Sequence, residues 1–215
     1  MADRMNEAFL PALMVVGFLA FFGLIVWLGA KASARARERV LQLAGRLGLE
    51  LEEAQPVLGL FYPSPRATGR IRGKAVAIYN YTTGSGKSRK TWSALSVTPA
   101  TEAGLTFSFT RQGFGTKVQE FFGYREITVG QADFDAAWFV QTNAPDFLRP
   151  SLVPEVLEKF RGLRGAFKLE RGEVTYVEAG QFDSDERCRR FEAAAGLACD
   201  LADIAEVHAR HKGRG

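Results

Sequence analysis

Asp133-Phe134-Asp135 is the first group of side chains whose spacing chemistry could use. Read as part of a strand, it sets two carboxylates on one side with Asp146 close behind. Oxygen donors of this kind suit divalent cations, which would make the chain a metal-dependent enzyme using Asp133 and Asp135. No histidine or further acidic cluster accompanies them, and Gly130 just before marks a turn. A turn and strand-entry role is the stronger reading.

His208 and His211 stand three apart, a spacing at which two imidazoles can share a metal. They fall at a basic C-terminus with no other ligand nearby in sequence, and they are the only histidines in the chain. A Ser-His-Asp or Cys-His hydrolase would therefore have to use His208 as its base. The stretch Thr83-Gly84-Ser85-Gly86-Lys87-Ser88 imitates a phosphate loop. That motif needs a glycine five residues before Gly86, where this chain has Tyr81, and a helix afterwards, where Trp92–Thr98 reads as a strand. A hairpin loop tipped by Lys87, Arg89 and Lys90 fits better. Cys188 and Cys199 lie eleven residues apart on one predicted helix, so about 16 Å separates them. They cannot form a disulfide with each other, and free thiols fit a reducing compartment. No motif calls for a cofactor.

What must position these groups begins with Ala8–Ala30, AFLPALMVVGFLAFFGLIVWLGA, 23 residues without a charge. A bilayer core needs roughly 20 apolar residues in a helix. Pro11 falls in the first turn and Trp27 near the far end, at headgroup depth. A cleaved signal is the competing reading, since Ala30-Lys31-Ala32 and Ala32-Ser33-Ala34 resemble cleavage sites. However, Asp3 and Glu7 offset Arg4 at the start, and the apolar core is too long. Lys31, Arg35, Arg37 and Arg39 follow and resist translocation. These four are candidate membrane-surface contacts, worth roughly 1 kcal/mol each beside an anionic leaflet. The expectation is an anchor in the bacterial inner membrane with the rest of the chain in the cytoplasm. Gly17, Gly23 and Gly29 lack the four-residue spacing that packs spanning helices, so oligomeric state is not encoded legibly.

The chain has 215 residues, 47% of them hydrophobic, and a formal net charge of +4. We divide it into an anchor at 8–30, a juxtamembrane amphipathic helix at 31–54, a domain at 55–209 and a basic tail at 210–215. The amphipathic stripe is Val40, Leu41, Ala44 and Leu47. Pro56–Pro65 reads as an extended connection. Predicted strands are Ala67–Arg72, Ala75–Thr82, Thr91–Thr98, Leu105–Arg111, Ile127–Val129, Trp138–Thr142, Ala166–Arg171 and Glu173–Ala179. Hairpin turns fall at Gly73 and at Arg171-Gly172. Helices are predicted at Pro154–Arg161 and from Asp183 to about His208. The second buries Phe191, Ala195, Ala198, Ala202 and Ala205 and turns Arg189, Arg190, Glu192 and Glu206 outward. Strands grouped apart from helices indicate an α+β domain of antiparallel sheet. The Gly- and Phe-rich segment Phe114–Tyr124 is either a docking site or sheet-end core.

Basic clusters at Arg70–Lys74, Lys87–Lys90, Arg161–Arg171 and Arg187–Arg190 are interleaved with aromatics, so a nucleic-acid or anionic-lipid binding module is an alternative. Acidic residues interrupt several of them. Finally, Ala132-Asp133-Phe134-Asp135, Phe139-Val140-Gln141-Thr142-Asn143, Pro145 and Phe147-Leu148-Arg149 resemble a pattern recurring in uncharacterised bacterial membrane-anchored proteins. The resemblance implies a bacterial setting and an anchored cytoplasmic domain, and supplies no catalytic residue. The function expected is a non-catalytic interaction or scaffold module with the bilayer and an unidentified protein as partners.

Overall fold

The computed structural model describes residues 2–52, 65–101, 104–114 and 125–213. The Pro56–Pro65 connection, apart from Pro65, and the Phe114–Tyr124 segment beyond Phe114 lie outside the described residues. The protein is α+β. It begins with one long helix, α1 (Ala2–Leu47), and ends with another, α5 (Asp185–Lys212). Between them lie strands β1 (Glu50–Leu51), β2 (Arg66–Ile71), β3 (Lys74–Thr83), β4 (Lys90–Thr98), β5 (Phe107–Arg111), β6 (Arg125–Ile127), β7 (Trp138–Thr142), β8 (Ala166–Glu170) and β9 (Glu173–Ala179). Among the described residues there are also three short α-helices, α2 (Ala132–Asp135), α3 (Pro145–Ser151) and α4 (Pro154–Glu158).

The strands form one sheet in the order β1-β2-β3-β4-β9-β8-β5-β7-β6, with every pairing antiparallel. A single row of side chains crosses all nine strands: Leu51, Ala67, Ile78, Leu95, Tyr176, Phe167, Phe109, Val140 and Ile127. Every member but Leu51 is buried. The adjacent row, on the opposite face, is Glu50, Thr68, Ala77, Ser96, Thr175, Lys168, Ser108, Gln141 and Glu126. Alternation with a period of two thus separates an apolar face from a polar one.

The apolar face is covered by α5 on one half and by α2–α4 on the other. Phe191 of α5 meets Tyr176 at 5.1 Å between ring centroids. Phe160, just past α4, touches Phe109 (4.9 Å), Trp138 (5.0 Å), Phe134 (5.2 Å) and Phe167 (5.4 Å). Small residues Ala194, Ala195, Ala198, Ala202 and Ala205 are buried along α5, which lets the helix lie close to the strands. Ser184 caps α5 by accepting from the Arg187 amide. Both tight hairpins turn on Arg-Gly: Arg72-Gly73 (φ 53° and 80°) and Arg171-Gly172 (φ 53° and 72°). Two successive left-handed residues match the twist of the flanking strands.

Several expectations are corrected. The helix drawn over 31–54 stops at Leu47, because Gly48 takes φ +67°. Leu49 then donates to the Ala44 carbonyl (2.8 Å) and Gly48 to that of Gly45 (3.3 Å), a left-handed helix cap. Glu50–Leu51 belongs to the sheet instead. The buried stripe runs through Ala36, Val40, Leu43 and Ala44, while Leu41 is exposed. The tail drawn at 210–215 is helical through Lys212. Asp133 and Asp135 sit on a helix, not a strand, and Pro145–Ser151 is helical although no element was expected there.

Candidate functional site

The arrangement with the clearest functional content is α1. From Val16 to Gly29 its side chains are exposed on every side, including Phe18, Phe21, Phe22, Ile25 and Trp27. It is long and apolar enough to cross a membrane by length and composition. Within two turns of Gly29 the same helix enters the domain, where Ala36, Val40, Leu43 and Ala44 join the core. No break separates the two parts. The exposed and buried portions are therefore parts of one continuous helix.

Of the four candidate surface cations, Lys31 places its ammonium 4.7 Å from the Trp27 ring centroid and Arg35 is exposed. Arg37 is half-buried. Arg39 instead pairs with Asp185 at the start of α5. Two turns on, Arg46 reaches Glu192 at 3.6 Å. Each pair advances seven residues on both helices, so α1 and α5 run side by side in the same direction.

The chemistry candidates separate rather than converge. Asp135 accepts from the Val129 amide (2.8 Å) and the Gly130 amide (2.9 Å), which closes the turn before α2. Asp133 is exposed, and Phe134 between them is buried, because neighbours two apart on a helix point to opposite sides. Among the described residues no group of three His, Cys, Asp or Glu side chains could hold a metal ion. Thr83–Ser88 ends β3 and includes a single 3-10 turn before β4. Cys188 and Cys199 are free and buried, and burial pushes both thiols above their ordinary pKa.

His208 packs against Phe147 of α3 at 4.7 Å, with His211 farther along the same ring at 6.3 Å. Its Nδ1 is buried without a hydrogen-bond partner among the described residues. Burial, with Lys212 and His211 nearby, holds this imidazole below its usual pKa. The unfolded chain then binds the proton more readily, so stability is complete above the unfolded value and falls as pH drops through it. Acidification from about pH 7 to about pH 5 is expected to lower Tm less in His208→Phe, which keeps the ring contact, than in the parent. Scanning calorimetry at both pH values checks this.

Two charge clusters, each built around a buried charge, were not anticipated. Glu178 on β9, 3% exposed, accepts from Arg190 through both oxygens (2.8 and 2.7 Å) and from the Tyr176 hydroxyl (2.6 Å). Arg187 lies 3.6 Å from the same carboxylate, and its second nitrogen donates to the Ala179 carbonyl. Burial and the adjoining carboxylate push the Tyr176 hydroxyl well above its ordinary pKa. At the other end of α5, Lys74, 8% exposed, bonds Glu206 and lies 2.9 Å from Asp203. Arg72 and Lys159 share Asp200, each at 2.6 Å. Burial alone would raise Glu206, but the Lys74 ammonium and the Ala100 amide outweigh it and hold the carboxyl low. Arg190 and Glu206, expected to face outward, are turned inward by these partners. The signal was available: Glu178 is in phase with Val174 and Tyr176, and Lys74 with Val76 and Ile78. Both clusters fasten α5 to the sheet, with their charged groups engaged by one another. Of the basic clusters, Arg72, Lys74, Arg161, Arg164, Lys168, Arg187 and Arg190 are in ion pairs.

No family model matches the chain, and no curated protein matches it. Among solved structures it is similar to the crystal structure of the mycobacterial trehalose monomycolate transport factor A, TtfA. The TM-score is 0.52 at 12% identity, over 79% of this chain and 93% of that one. At that identity the likeness is one of fold.

Proposed function

We propose that the chain is a single-pass protein of the bacterial inner membrane whose C-terminal domain faces the cytoplasm and serves as a non-catalytic interaction or scaffold module. The observation that carries the reading is α1, bare and apolar through Gly29 and seated in the domain core from Ala36. Such a helix keeps the domain close over the bilayer while leaving it room to tilt. Lys31, Arg35, Arg37 and Arg39 after the apolar run support a cytoplasmic C-terminal side. Two free cysteines agree with a reducing compartment.

A scaffold role is supported by the engagement of the buried charges with one another and by the polar face of the sheet, which stays half-exposed along β5, β7, β8 and β9. The partner we propose is a protein at the same membrane. The fold likeness to a transport factor supports an accessory role of this kind, as does the resemblance to bacterial membrane-anchored proteins. Reporter fusions behind Gly215 test the location: a fluorescent protein should light up and alkaline phosphatase should stay inactive. The reverse pattern overturns the reading. Photo-crosslinking in cells from Gln141 and Thr175 on the polar face should capture one membrane protein, and an empty result from both positions sinks the scaffold role.

A further inference from the structure

We infer that the turn between β3 and β4 is a second membrane contact, in which Lys87, Arg89 and Lys90 meet the anionic lipid headgroups of the bilayer that holds α1. The inference rests on the proposed crossing by α1 and adds the surface that lands beside it.

Geometry sets the direction. Strand β4 and helix α5 are tied at two levels. Ser93 pairs with Glu178, which Arg190 grips, and the Ala100 amide donates to Glu206. Residues 190–206 of a helix cover about 24 Å, and residues 93–100 of a strand about 23 Å. Near-equal lengths mean that β4 and α5 run side by side in one direction. Since α5 in turn parallels α1, the entrance to β4 lies at the end of the domain from which the apolar rod projects.

Heights then follow along α1. From Ala30, the last residue of the apolar run, to Arg39 is about 13 Å, and Arg39 is level with Asp185. Arg190, and Ser93 with it, stands about 8 Å higher. Three strand residues from Ser93 back to Lys90 descend about 10 Å, leaving about 11 Å for the turn itself and its side chains. The headgroup layer adds roughly 5–7 Å beyond the hydrocarbon on each side. A lysine or arginine on this turn reaches it.

Charge fits the same partner. No acidic residue occurs from Lys74 to Thr101, and Lys87, Arg89 and Lys90 are exposed with no ion pair among the described residues. The acids around the start of α5 are already taken: Asp183 by Arg187, Asp185 by Arg39, and Glu186 by Arg164 and Arg190. The turn is also held in shape. Ser88 Oγ donates to the Ser85 carbonyl (2.8 Å), and a Cβ on Gly84 would meet the Ser88 carbonyl oxygen at 2.5 Å. Directly behind it, half-buried Tyr81 and Trp92 stack at 6.5 Å, with the indole N–H donating to Thr83 Oγ1 (2.8 Å). Tyrosine and tryptophan favour headgroup depth.

The test uses the full chain in vesicles of phosphatidylcholine alone or in equal parts with phosphatidylglycerol. A fluorophore is placed at Ser85→Cys or, at the far end of β4, at Thr98→Cys; Cys188 and Cys199 are buried. A headgroup-bound quencher should quench Ser85→Cys and not Thr98→Cys, in anionic vesicles only. Replacing Lys87, Arg89 and Lys90 together by glutamine should lower the docked-to-undocked ratio roughly 100-fold. An unquenched Ser85→Cys in a chain that resists carbonate extraction overturns the inference and leaves the anchor standing. Extraction by carbonate overturns the anchor and the inference with it. A turn that ignores anionic vesicles but retards an oligonucleotide overturns it in favour of nucleic acid.

Discussion

Glu178→Ala is expected to destabilise the domain by about 3–5 kcal/mol, the cost of leaving a buried charge without its partner. Arg190 and Arg187 have side chains only 12% and 15% exposed, so neither can recover its hydration without moving α5 off the sheet. The Tyr176 hydroxyl loses its acceptor in the same stroke. Replacing both sides of the Glu178–Arg190 pair, Glu178→Leu with Arg190→Met, should restore part of the loss, because apolar residues of similar volume often match a buried ion pair, while Arg187 and the Tyr176 hydroxyl still lack the carboxylate. Arg161 and Glu158 provide the contrast. They lie 2.8 Å apart but are 79% and 61% exposed, and Glu158→Ala should cost less than about 1 kcal/mol. Urea titration of the four proteins in detergent checks the order. A Glu178→Ala midpoint matching that of Glu158→Ala contradicts the clamp.

Leu43→Ala should cost about 2–5 kcal/mol, as for other fully buried leucines, and its consequence is positional. Leu43 lies on the part of α1 that packs on β2 and α5, in one buried core with Val40, Ala44 and Cys188. The variant should still sediment with membranes, because Val16–Gly29 is untouched, but the domain should be cut faster by added protease. Leu41→Ala, on the exposed side of the same turn, should shift stability by no more than about 0.5 kcal/mol. Equal protease sensitivity in the two variants would show that α1 is not held by the domain.

The elements with strict alternation were legible. Trp138–Thr142 and Glu173–Ala179 have the predicted bounds, and both Arg-Gly turns stand where a left-handed pair was needed. Helix α5 announced its inner alanines. The order of strands was not readable, since β4 beside β9 joins residues far apart in sequence and neither strand names its neighbour. Helix α2 has four residues, too short to display a period. Glu178 and Lys74 were missed for a different reason. Their position on the apolar face was visible, but the arginine and glutamate that neutralise them sit on another element, and only packing brings the two together. The apolar run was the most legible feature because it depends on composition alone, and it lies in a helix long and apolar enough to cross a membrane.

The strand order also dictates a schedule for the newborn chain. The middle of the sheet joins β4 to β9, and the seat of α1 needs α5, which is synthesised after all nine strands. The first helix can enter a lipid phase long before its protein neighbour is synthesised, while strands β2–β5 wait with their sticky edges uncapped. Such late, long-range closure is slow and leaves intermediates open to aggregation. A ribosome stalled before residue 174 should therefore hold a nascent chain already fixed in the bilayer and still unable to close its sheet.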